Sequence, residues 1–107
     1  MDANKPEAIA QLASHLKSSF GGVDILVNNF NLVDDEHSAL DVIECNYKSV
    51  LNLFNFLFPL FRPYARVVNV SNRRALLKRC NDRNLRHRIS NIQTLDDLNS
   101  IVNEYIK

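Results

Sequence analysis

Two short apolar runs end in clusters of amides and a hydroxyl. The first closes with Asn28-Asn29-Phe30-Asn31, the second with Asn69-Val70-Ser71-Asn72. Amides and hydroxyls both donate and accept hydrogen bonds, the capacity a polar ligand needs. In an open parallel sheet, ligands bind beyond the carboxyl ends of the strands. If the two runs are neighbouring strands, both clusters share one such edge. A plainer reading keeps them as turn formers, a role that suits Asn and Ser. A third amide, Asn46, stands three residues after Ile43 and four before Val50, on an apolar helical stripe. Asn is a weak interior helix residue, and a buried amide needs partners. Asn46 is therefore either a satisfied amide packing helix against sheet or a functional one.

The elements that would position these residues are legible in the spacing. Pro6 and Glu7 suit a first helical turn, and Ile9, Leu12, Leu16 and Phe20 follow on one amphipathic stripe. Gly21-Gly22 ends that helix, because glycine accepts the left-handed conformation of a C-terminus. Asp24 to Asn29 then reads as a strand, with Ile25, Leu26 and Val27 as the continuous apolar run of a strand buried on both faces. From about Glu36 to Leu57 the spacing predicts one long helix, with Val42, Ile43, Tyr47, Val50, Phe54 and Leu57 on its apolar face. Pro59 and Pro63 close it, and Arg66 to Ser71 forms a second strand. Strand, helix and strand with a crossover of this length make a βαβ unit. Beyond it, Leu76, Leu77, Leu85 and Ile89 suggest short helical pieces. Thr94 with Asp97 fits a capping box opening a last helix, whose apolar face is Leu98, Ile101, Val102, Tyr105 and Ile106.

Composition narrows the chemistry. The 107 residues allow one small domain, and 46% apolar residues suffice for a core. A net charge of +1 removes whole-molecule charge as a sign of a nucleic-acid partner. The two cysteines, Cys45 and Cys80, cannot build a disulfide scaffold, and no metal-ligand spacing links them to His15, His37 or His87. The polar N-terminus is not a secretory signal. The most apolar stretch, Val50 to Phe61, is too short and too interrupted to cross a membrane. The expected compartment is the cytoplasm. The phenylalanines at 54, 56, 58 and 61 read as core.

Asp24-Ile25-Leu26-Val27-Asn28-Asn29 resembles the D-[IV]-L-V-N-N segment of short-chain dehydrogenases/reductases. Asn46 in Cys45-Asn46-Tyr47 resembles their helix asparagine, and Arg66-Val67-Val68-Asn69-Val70-Ser71 the strand leading to their catalytic serine. Within that family the chain is most similar to the NADPH-dependent carbonyl reductases, through Gly21-Gly22-Val23-Asp24, Arg74-Ala75-Leu76 and Cys80. The resemblance implies an α/β fold: part of a Rossmann-type, doubly wound parallel sheet, a βαβ core with flanking helices. It also implies hydride transfer from NADPH to a small carbonyl substrate. On the cofactor side it points to Asp2, Asn28, Asn29, Phe30, Asn31 and Val70, with Phe30 in the place of a usual alanine and Asn31 in that of a glycine. On the catalytic side it points to Asn46, Ser71 and Asn72, with Asn72 at the usual serine position and Ser71 turned to the other face if the strand continues.

Other parts of the family pattern are absent from these 107 residues. There is no T-G-x-x-x-G-x-G turn, since the two glycines are adjacent. There is no Y-x-x-x-K motif, because Tyr47 precedes Leu51 and Tyr64 precedes Val68 at that spacing. The expectation is a single truncated short-chain dehydrogenase domain over residues 1–107, without the N-terminal nucleotide-binding strands and the C-terminal Tyr/Lys part, and inactive as an isolated chain. Open strand edges would then invite self-association, so a non-catalytic interaction module is the alternative. Arg73 to Arg88 holds seven basic residues and one acidic one, the rest of the chain six and eleven. The run reads as a solvated helical face. Neither nucleic acid nor a membrane is the expected partner.

Overall fold

The computed structural model describes residues 2–30, 32 and 37–106. Asn31, Glu36 and Met1 lie outside them. The chain divides into two compact units, Met1–Val70 and Ser71–Lys107.

The first unit opens with helix α1, Pro6–Phe20, which has proline in its first turn. It stops where the spacing predicts. Gly21 takes φ 77°, and its N–H donates to the carbonyls of Leu16 and Lys17. Gly22 is needed for a different reason: a Cβ there would come within 2.9 Å of the Leu60 carbonyl oxygen. Strand β1, Val23–Asn28, follows. It pairs in parallel with β2, Phe61–Asn69, and these two strands are the whole described sheet. The fold is the expected α/β arrangement of parallel strands joined through a helical crossover.

Three side chains form the buried core: Ile9 from α1, and Leu53 and Leu57 from the crossover. Leu26 of β1, Leu16 of α1 and Phe30 pack against them. Each fully buried aliphatic side chain contributes about 2 kcal/mol of transfer free energy. The cluster covers only one sheet face. On the other, Ile25 is 64% exposed and Val27 56%. The expectation of a strand buried on both faces is therefore wrong, because the described residues supply no second layer over that side.

The crossover is not one uniform helix. It runs as α2, Ala39–Ile43, a π-turn over Glu44–Lys48, and α3, Ser49–Leu57. Ser38 caps α2 by a box with Asp41. In the wide turn the Ser49 N–H reaches back to the Glu44 carbonyl, and the Ser49 hydroxyl lies 2.7 Å from the same oxygen. That resets the helical phase. The buried row of α3 is Ser49, Leu53 and Leu57 rather than one through Val50 and Phe54. Phe54 instead stacks on Phe58, in an aromatic group with Phe61. Phe54, Phe56 and Phe58 are exposed, so they are not the core residues their composition suggests.

Strand β2 begins earlier and ends sooner than expected. Val23 pairs with Phe61, but Ile25 pairs with Arg66, so β2 carries extra residues in a bulge. Pro63 sits there without breaking the ladder, the position a strand allows it. Tyr64 takes φ 67° with its side chain 96% exposed. The second strand stops at Asn69 rather than Ser71.

The second unit is irregular, then helical. Two single-turn 3₁₀ pieces, Arg73–Ala75 and Leu77–Arg79, precede α4, Arg83–Ser90, and α5, Leu95–Ile106. The predicted capping box is present: Asp97 N–H donates to the Thr94 hydroxyl, and Thr94 N–H to the Asp97 carboxylate. Bonds from the Gln93 and Thr94 N–H groups hold the Asp97 carboxyl below its usual range. No residue among those described in this unit is buried.

A left-handed backbone costs an ordinary side chain about 1 kcal/mol, and asparagine tolerates it better. Tyr64→Asn removes no packed contact and should raise the stability by about 0.5–1 kcal/mol, read from urea unfolding midpoints. A lower midpoint would show that the bulge does not strain this residue.

Candidate functional site

The parallel register sets Asn28 opposite Asn69. The Asn28 amide donates from Nδ2 to Asn69 Oδ1 at 2.8 Å. The ladder runs one step further, with the Val70 N–H donating to the Asn28 carbonyl at 2.9 Å. Thus both strands end level, with Asn28 and Asn69 side by side at that edge. Asn28 is only 5% exposed, yet its Oδ1 has no partner among the described residues. A buried acceptor left open is uncommon and costs stability unless something supplies a donor.

Asn46, on the crossover, bonds a residue that follows β1. It lies in the π-turn, exposed rather than on a buried stripe. Its Oδ1 accepts from the Leu32 N–H at 3.0 Å, and its Nδ2 donates to the Leu32 carbonyl at 2.9 Å. One amide therefore ties down both polar groups of a residue that follows β1. The straight-helix reading fails because the wide turn carries Asn46 away from the core-facing row. π-turns recur at functional sites, where they re-aim a side chain.

The remaining expected residues are scattered. Asn29 is exposed, and Phe30 leans on the core cluster. Asn31 lies outside the described residues. Asp2 makes a tight turn before α1, its carboxylate accepting from the Asn4 N–H at 2.9 Å. Val70 contributes its N–H to the ladder, and its side chain is exposed. Ser71 and Asn72 open the second unit, both exposed, and Asn72 Oδ1 accepts from the Arg74 N–H at 3.0 Å. The strand-alternation argument for Ser71 does not hold, since the ladder has ended before it.

Tyr47 stands beside Asn46 in the same wide turn. Burial pushes its hydroxyl up from the ordinary tyrosine value. A proton donor that cycles near neutral pH needs the opposite shift. The adjacent Lys48 is paired with Glu44. Sequence reasoning missed the Asn28–Asn69 pair and the Leu32 partner of Asn46. Only the shared strand-end position of the two asparagines pointed toward the first.

The chain's fit to a dinucleotide is partial. An unpartnered Asn28 acceptor at the carboxyl end of a parallel strand suits a polar ligand. A pyrophosphate needs a glycine-rich turn at a helix N-terminus. Gly21 caps the C-terminus of α1 and Gly22 packs under Leu60, so neither glycine serves that purpose. A groove of about 450 Å³, lined by Leu16, Phe20, Asp24 and Arg62 among others, lies at the amino end of β1, away from Asn28.

Known proteins place this geometry in context. A family model described as short chain dehydrogenase matches residues 1–81. Carbonyl reductase (NADPH) 3 of Rattus norvegicus is 31% identical over 91 residues, covering 77% of this chain and 33% of the relative. Carbonyl reductase (NADPH) 1 of Mus musculus is 31% identical over 116 residues, covering all of this chain and 42% of the relative. Short-chain dehydrogenase/reductase 1 of Saponaria officinalis is 28% identical over 138 residues, again all of this chain and 46% of the relative. The chain thus spans between a third and a half of the length of these relatives. With two parallel strands ending level, a helical crossover between them and a family match over three quarters of its residues, the chain belongs to the short-chain dehydrogenase family.

Proposed function

We propose that residues 1–107 correspond to the central part of an NADPH-dependent carbonyl reductase domain and do not turn over as an isolated chain. The observation that carries the reading is the buried Asn28 amide, with its open acceptor at the carboxyl end of β1. In this reading Asp2, Asn28, Asn29, Phe30, Asn31 and Val70 stand on the cofactor side, and Asn46, Ser71 and Asn72 on the side of a small carbonyl substrate. NADPH would supply hydride, while these residues offer no glycine-rich turn for its pyrophosphate. The compartment would be the cytoplasm. Among the described residues, no helix is long and apolar enough to cross a membrane.

The chain's own chemistry is limited in this reading. A carbonyl gaining hydride builds charge on oxygen, which a donor must meet. Ser71 carries a hydroxyl of the right type, but no Tyr-x-x-x-Lys pair stands in these 107 residues. Purified chain with NADPH and small aldehydes should consume cofactor no faster than buffer, and Asn72→Ser should not change that. Turnover by either would overturn the claim of inactivity. The carbonyl-reductase assignment has its own test. Carbonyl reductase (NADPH) 1 of Mus musculus with its matching segment replaced by residues 23–70 of this chain should keep measurable reduction. A folded but inert chimera would refute the assignment.

Asn46 is a positioning residue in this account, acting through Leu32. One intramolecular hydrogen bond is worth about 1 kcal/mol, and this side chain makes two. Asn46→Ala should speed exchange of the Leu32 amide hydrogen by about tenfold or more, while the exchange of Leu53 stays unchanged. An unaltered Leu32 rate would remove Asn46 from that role.

A second reading has one observation in its favour. Ile25, Val27 and Val68 are exposed together on the uncovered sheet face. In that reading the chain is a non-catalytic module that pairs through its open sheet edge, where a second copy would extend the sheet alongside them. It predicts a dimer in analytical ultracentrifugation, and a folded monomer at high concentration would contradict it.

A further inference from the structure

The basic run of the second unit follows directly on Ser71 and Asn72. Among the described residues its one ion pair is Arg88 with Glu104, at 2.8 Å. Arg73, Arg74, Lys78 and Arg79 are all exposed and have no acidic partner among the described residues. Between them, Leu76 is 43% exposed and Leu77 37%. Four cations with no acidic partner among the described residues and two partly exposed leucines thus fall within seven residues, on and between two single-turn 3₁₀ pieces. The unit that holds them buries none of its described residues.

We propose that Arg73–Arg79 is a docking surface for an anionic lipid bilayer. Charge and apolarity both favour that occupant. Guanidinium and ammonium groups meet lipid phosphate and carboxylate, while leucines enter the boundary between headgroups and acyl chains. The contact lies on the surface and needs no spanning helix. It therefore departs from the expectation that no membrane is involved. A nucleic acid would take the cations but give the leucines nothing. No aromatic residue stands between Tyr64 and Tyr105 to stack on bases. This inference is independent of the reductase reading.

Co-sedimentation of the full chain tests it. The probes are vesicles of phosphatidylcholine alone and of phosphatidylcholine with phosphatidylserine, each at low and physiological salt, with a DNA duplex as a competing ligand. The chain should bind the mixed vesicles, not the neutral ones, and bind more weakly as salt rises. Each cation near an anionic surface strengthens binding by about fivefold. Replacing Arg73, Arg74, Lys78 and Arg79 together by Ser should therefore weaken binding by several hundredfold, roughly the product of four such factors. Leu76→Ser with Leu77→Ser should weaken it by about tenfold without altering the salt dependence. Circular dichroism of both variants should match that of the parent. The proposal is overturned by absence of binding to the mixed vesicles, by equal binding to neutral vesicles, or by duplex binding that is tighter than vesicle binding and indifferent to the leucine changes.

Discussion

The site depends on one alignment: β1 and β2 run in parallel and end level, with the Val70 N–H bonded to the Asn28 carbonyl. That bond fixes Asn28 beside Asn69 and aims both at the edge where parallel sheets bind ligands. The alignment is secured from one side only, by Ile9, Leu53 and Leu57 beneath Leu26. A two-stranded sheet is marginal on its own, so these contacts with helices α1 and α3 keep the strands in register.

The crossover adds a second constraint. Ser49, almost fully buried, places both its N–H and its hydroxyl against the Glu44 carbonyl and so holds the wide turn. That turn puts Asn46 outside the helix, where its amide grips the Leu32 backbone. The residue that resembles a catalytic amide thus spends both ends of its side chain on a loop. The polar groups of Leu32 are satisfied by protein, while the buried Asn28 oxygen has no partner among the described residues. This contrast separates scaffold from open binding capacity at the edge.

Much of this was legible in the sequence. Helix α1 and its Gly21 stop, the two strands and the Thr94–Asp97 box follow from local spacing, since each depends on residues close together in the chain, and the parallel pairing follows from the strand–helix–strand order. The π-turn was not legible, because the apolar residues from Val42 to Leu57 fit a regular period nearly as well. The turn is chosen by Ser49, through contacts that periodicity does not encode. The bulge escaped notice because Pro63 and Tyr64 read as a break before the strand rather than as residues within it. The bare sheet face escaped notice as well, since an apolar run reports what a strand tolerates and not what covers it. Of the candidate site, the strand-end asparagines were found from position alone. The hydrogen-bond partners of Asn28 and Asn46 lie 41 and 14 residues away and needed the fold.

The level strand ends are tested most directly by native-state hydrogen exchange at Val70. If its N–H is bonded to Asn28 as the last rung of the ladder, it should open only with the unit that holds Leu53 and Leu57, and exchange with the same free energy as those amides. Exchange of Val70 at the rate of an unstructured amide, with Leu53 still protected, would mean that the strands do not end together and that the site is not formed.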